Sequence, residues 1–170
     1  VELLLRTYAV NVAVGMWDDY WKNSNNFYIY FNSQDQYDYK FFFIPYDYDN
    51  TLGTSGMDMD SGRQDPLNWG NNNNLLIYRL LKFEDFRQTY KSALLDLVDP
   101  VSGEMYYKVS MDRIRKWQEK IGPYISNDTG EDMKIEDRPA SWGNHGEYRL
   151  LEENNNFFKV KAETINKYCK

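Results

Sequence analysis

Met16-Trp17-Asp18-Asp19-Tyr20-Trp21, Asn25-Asn26-Phe27-Tyr28-Ile29-Tyr30 and Ile44-Pro45-Tyr46-Asp47-Tyr48-Asp49 are the stretches on which the fold turns. The middle one opens an aromatic run, Asn26 to Phe31, that reads as a strand. A second run, Tyr39 to Pro45, reads as its partner, with the polar stretch 32–38 between them as a hairpin turn. Pro45 closes the second strand, so Asp47 and Asp49 lie just past its end. On the N-terminal side, Val1 to Met16 is apolar almost all round, broken by the Glu2/Arg6 pair, Thr7 and Asn11. A helix without a polar face is expected to be central and buried. Gly15 and the Trp17-Asp18-Asp19 cluster end it. Two pairs of carboxylates thus follow elements expected to be buried, where charge is costly unless it has a role.

The 170 residues suffice for one domain with a real core. A 42% hydrophobic and 27% charged composition is globular, and much of the 17% aromatic content is tyrosine, whose ring buries while its hydroxyl keeps a polar partner. The net charge of −6 argues against nucleic acid or an anionic membrane as the main partner. It suits a protein that holds cations. Cys169 is the single cysteine, so neither an intrachain disulfide nor a thiolate metal cluster is expected. No apolar run approaches the roughly 20 residues of a membrane span. The first residues read as helix without a capping Ser, Thr, Asp or Asn, which suggests that the chain is part of a longer protein.

Farther along, 51–74 reads as a long loop rich in Gly, Asp, Ser and Asn. Leu75 to Val98 has helical spacing, broken near Phe83-Glu84-Asp85, with Glu84 and Asp85 in the first turn of the second helix. Met111 to Ile121 reads as a third amphipathic helix stopped by Gly122-Pro123. The stretch from 125 to 144 reads as an acidic loop, and Asn154-Asn155-Asn156 leads into a last helix, Phe157 to Tyr168. The expected class is α+β, mostly helical, with one small β-hairpin after a buried central helix. Trp17, Trp21, Trp69 and Trp142 are read as packing residues. Asp58-Met59-Asp60-Ser61-Gly62 lacks the later ligands of a calcium loop and is read as a solvated acidic loop. His145, the sole histidine, has no partner pattern for a catalytic triad or a metal cluster.

The hairpin can bring Asp18/Asp19 and Asp47/Asp49 close, and four converging carboxylates require a cation to screen them. Amides at Asn23 or Asn26 could complete an all-oxygen shell, which selects Mg²⁺, Mn²⁺ or Ca²⁺. The bland alternatives are a strand-end turn at Asp47/Asp49 and helix termination by one of Asp18/Asp19. The order of helix, Asp, Asn, hairpin and Asp resembles the core of a protein-kinase C-lobe, and Asp18 to Asn23 has the spacing of the kinase Asp-x-x-x-x-Asn loop.

Several strings resemble the CotH family, the atypical kinases typified by spore coat protein H. They are Arg6-Thr7-Tyr8-Ala9-Val10-Asn11, the three stretches quoted first, the continuation Asn50-Thr51-Leu52-Gly53, and Phe157-Phe158-Lys159-Val160. The resemblance implies a phosphotransferase that uses ATP with Mg²⁺ or Mn²⁺ to phosphorylate hydroxyls of a surface or coat protein, in an extracellular or bacterial cell-surface setting. It implies Asp18 or Asp19 as catalytic base, Asn23 or Asn26 with Asp47 on the nucleotide side, and Asp47, Asp49 and Asn26 as metal ligands. No glycine-rich phosphate loop or strand lysine is present. Residues 1–170 are therefore expected to form the C-terminal lobe, with an N-lobe upstream, and to bind nucleotide hardly at all alone. The rival readings are a catalytically silent, Ca²⁺-stabilised adhesion, cell-wall or cellulosome-associated module, and a glycan-active protein with paired carboxylates.

Overall fold

The structure, a computed structural model, describes residues 1–34, 40–54, 59–124 and 146–170. It is mostly helical: α1 (Glu2–Ala13), α2 (Tyr20–Asn23), β1 (Phe27–Phe31), β2 (Phe41–Pro45), α3 (Leu75–Leu80), α4 (Glu84–Val98), α5 (Tyr107–Ile121) and α6 (Phe157–Cys169). Short 3-10 turns occupy Pro66–Asn68 and Gly122–Tyr124. The turn residues 35–39, Asp58, the stretch 125–145, Trp142 and His145 lie outside the described residues.

The helix ends follow local chemistry. Glu84 and Asp85 occupy the first turn of α4, where the exposed N–H groups favour anions. The Asn156 side chain accepts from the Phe158 and Lys159 amides and starts α6. α5 begins at Tyr107, four residues before the expected Met111. The Asp99–Gly103 turn positions this earlier start: the Asp99 carboxylate accepts from the Val101 and Ser102 amides, and Met105 N–H returns to Leu97 O.

The core forms where α1 packs against α4 and α6 packs against α4 and α5. Leu5, Tyr8, Ala9, Val12, Trp21, Trp69, Ile77, Tyr90, Leu94, Phe157 and Ile165 are its buried centre. The expected burial of α1 holds on one side only, because Leu3 is 63% exposed and Val10 is also open. The loop of 51–74 is built into the body at Met59, Ser61 and Trp69, where Trp69 Nε1 donates to Met16 O at 3.2 Å.

The hairpin corrects the sequence reading more sharply. β1 and β2 pair antiparallel in the register Phe27↔Pro45, Ile29↔Phe43 and Phe31↔Phe41, yet most of both strands is exposed. Only the base packs: Phe27 stacks on Phe43 at 5.2 Å, and these rings meet Tyr8 and Tyr20. Beyond it Tyr28, Ile29, Tyr30, Phe31, Phe41 and Phe42 face outward. Asp47 and Asp49 therefore follow an exposed strand whose inner end alone is anchored.

Candidate functional site

The site begins at the end of α1. Gly15, at φ 75°, lets its own amide reach Val12 O and the Met16 amide reach Asn11 O. This double closure satisfies the last helix carbonyls and turns the chain sharply. Asp19 is the N-cap of α2: its Oδ1 accepts from Lys22 N–H at 3.0 Å, and its Oδ2 accepts from Asn11 Nδ2 at 3.2 Å. It is 1% exposed. Adjacent Asp18 is half-buried and points the other way, into a nest of amides. Asn23 Nδ2 donates to it at 2.6 Å, Asn26 Nδ2 at 3.1 Å, and Asn25 Nδ2 reaches both of its oxygens at 3.3 and 3.4 Å.

Asn26 and Asp47 bracket the inner end of the hairpin. The Tyr46 amide donates to Asn26 O at 3.1 Å, extending the ladder one step past Phe27↔Pro45. Both residues sit in the left-handed region, Asn26 at φ 54° and Asp47 at φ 60°. Asn and Asp tolerate that region best after glycine, and such outliers cluster at functional sites. Asp47 and Asp49 are exposed; Tyr48 between them donates its hydroxyl to Asn11 Oδ1 at 2.7 Å. Leu52, also left-handed at φ 56°, donates its amide to Val14 O at 2.7 Å, so this segment is fastened to the end of α1.

Burial pushes the Asp19 carboxyl up to about 6, against the hydrogen bonds from Lys22, Asn11 and Trp21 that favour its ionised form. Burial likewise raises Tyr48 to about 12 and carries Tyr8 higher still, with the Asp19 charge adding to both.

Among the described residues, no three His, Cys, Asp or Glu side chains are grouped so as to hold a metal. The expected meeting of four carboxylates is thereby corrected, and the cause is visible: Asp19 turns inward to cap α2, while Asp49 accepts from the Asn50 side chain at 3.0 Å. The geometry instead gathers Asp18 with Asn23, Asn25 and Asn26, and Asn26 O takes the amide of Tyr46, the residue before Asp47. Asn50 Oδ1 is buried without a donor. The donors that Asp47, Asp49 and Asn26 could present are carboxylate and amide oxygens, the type that hard cations take.

The family model described as CotH kinase protein matches residues 1–169. The chain belongs to the CotH kinase family. No curated protein and no solved structure matches it. For a CotH kinase, nucleotide, divalent-metal and protein-substrate use are the general expectations, and no described helix is long and apolar enough to cross a membrane.

Two contributors were not legible as such. Asn11 and Tyr48 join the two motifs, and Asn11 carried a signal: a lone amide in the middle of an apolar helix needs a buried partner. Lys161 is a further buried polar residue that the sequence did not flag, and it meets Ser61 and Trp69 in the 59–69 segment. It is fully buried on α6, donates to Ser61 O at 2.8 Å, lies 4.0 Å from the centre of the Trp69 ring, and is pushed down to about 7 by burial. Asp60, read as solvated, instead accepts from Arg63, the Gly62 amide and the Tyr148 hydroxyl, tying the loop to the C-terminal part of the chain.

Proposed function

We propose that this chain carries the base and cation-binding part of a phosphotransferase site that moves the γ-phosphoryl group of ATP to a hydroxyl of a protein substrate. The observation that carries this reading is the division of labour in the acidic pair. Asp19 is sealed inside as a helix cap, whereas Asp18 is partly open and held by the side-chain amides of Asn23, Asn25 and Asn26, the last a residue whose backbone oxygen accepts from the Tyr46 amide just before Asp47.

In that arrangement Asp18 accepts the proton of the substrate hydroxyl as its oxygen attacks the γ-phosphorus. The bond from phosphorus to the bridging oxygen breaks, and ADP leaves. The amides around Asp18 fix its orientation without protonating it. Asp47, with Asn26 and Asp49, would hold Mg²⁺ or Mn²⁺, and the bound cation offsets the phosphate charge. The exposed aromatic hairpin supports the further reading that an N-lobe upstream covers it, because open apolar patches on soluble domains mark contact surfaces.

The test uses the full-length protein with Mg²⁺, labelled ATP and a hydroxyl-bearing protein acceptor. Asp18→Asn should lower transfer by about 10²-fold or more, the size of a general-base contribution. Asp47→Asn, which keeps the left-handed backbone available, should abolish Mg²⁺-dependent transfer. Wild-type rates in both variants would sink the assignment.

A further inference from the structure

Asn11 takes no part in the transfer proposed above, yet it touches both halves of the site. It lies fully buried on α1, donating Nδ2 to Asp19 and accepting the Tyr48 hydroxyl at Oδ1. Its orientation follows from the partners. An ionised carboxylate can only accept, so Asn11 must give it the amide N–H. That leaves Oδ1 for the donor on the other side, Tyr48. A side chain that donates in one direction and accepts in the other, in a plane fixed by its amide, matches this place; an apolar residue would serve the surrounding core better.

Each bond continues into one half of the site. Asp19 begins α2 through the Lys22 amide, with Asp18 immediately before it and Asn23 at the helix end. Tyr48 stands between Asp47 and Asp49, and four residues later Leu52 is fastened to Val14 O on the same helix end. The segment that carries the cation ligands is thus held against α1 at two points, one of them the Asn11 bond.

We propose that Asn11 is a positioning residue: a buried strut that, through Asp19 and Tyr48, sets Asp47 in register with Asp18. The proposal rests on the reading of Asp18 and Asp47 as base and cation ligand. Asn11 does not touch a reacting atom. It fixes where the two groups that do so stand relative to each other.

Tyr48→Phe in the full-length protein is the cleaner test, because it deletes one hydroxyl and keeps the ring. Losing a buried hydrogen bond of ordinary strength should speed amide hydrogen exchange across 47–52 by roughly fivefold. Transfer should fall about tenfold in kcat, a modest misplacement of reacting groups, and the affinity for Mg²⁺·ATP should fall with it, while KM for the protein acceptor stays unchanged. A kcat within twofold of wild type would overturn the strut. If the wild-type protein neither binds Mg²⁺·ATP nor transfers phosphate, the functional reading fails separately. The exchange rates then decide: unchanged protection in Tyr48→Phe removes the strut, and the expected loss of protection retains it.

Discussion

Asp19 offers the sharpest test of the site's electrostatics, because its environment reverses the usual behaviour of a surface carboxylate. Burial raises it from 3.8 to about 6, a difference of roughly two units, or about 3 kcal/mol. The sign follows from proton uptake. Between these two values the folded protein holds a proton on Asp19 that the unfolded chain has already released. The Asp19 contribution is therefore fully present below about pH 4 and is lost as pH rises through about 6. Asp19→Asn removes the titration while keeping a side-chain oxygen that caps α2 as well as aspartate does. The assay is urea unfolding of both proteins from pH 4 to pH 7. The stability of Asp19→Asn relative to wild type should improve by about 2.5 kcal/mol across that range. Subtraction cancels carboxylates common to both proteins, including Asp60 and Asp99, which are held below their ordinary values and act in the opposite direction. Parallel stability curves would refute the reasoning and place Asp19 in contact with water.

Two further variants probe the packing behind the site. Gly70 lies flat on the buried Trp21 indole, where an added Cβ would stand 1.9 Å from Trp21 Cδ1; Gly70→Ala should cost about 3 kcal/mol in chemical denaturation, and a cost below about 1 kcal/mol would show that Trp21 can shift. Lys161, pushed down to about 7 from 10.5, is neutral in the folded state at pH values where the unfolded chain keeps its proton. Wild-type stability relative to Lys161→Met should therefore rise between pH 7 and 10.5, by on the order of 4 kcal/mol, and a flat difference in thermal or urea unfolding would contradict a buried amine.

Where structure is decided locally, the sequence reveals it: Gly15 closes α1, Gly122-Pro123 follows α5, and Asn156 opens α6 because each answers to backbone groups within a few residues. The pairing of β1 with β2 is legible for the same reason. Its exposure is not, because an aromatic run shows that a surface is apolar without showing what covers it. Tyr30 and Phe42 pair in the open, while Phe27 and Phe43 of the same strands are anchored by Tyr8 and Tyr20 from elsewhere in the chain. The unequal burial of Asp18 and Asp19 is likewise nonlocal: it depends on Asn11, eight residues back, and on the direction the chain takes after Gly15.

The retained charge at position 19 follows from the same geometry. An asparagine there would cap α2 and avoid the cost of burying a carboxylate, so helix capping alone does not require aspartate. The amide network gives it a use. With a carboxylate at 19, Asn11 must present Nδ2 to it and its oxygen to Tyr48. With an amide at 19, Asn11 could turn over and leave the Tyr48 hydroxyl facing an N–H group instead of an acceptor. The buried charge thus dictates the direction of the Asn11 amide, and through it the anchoring of the segment that carries Asp47 and Asp49. Two adjacent acidic residues thus separate by environment, Asp19 buried and ordering the network from within and Asp18 partly open, as paired carboxylates do wherever their surroundings diverge.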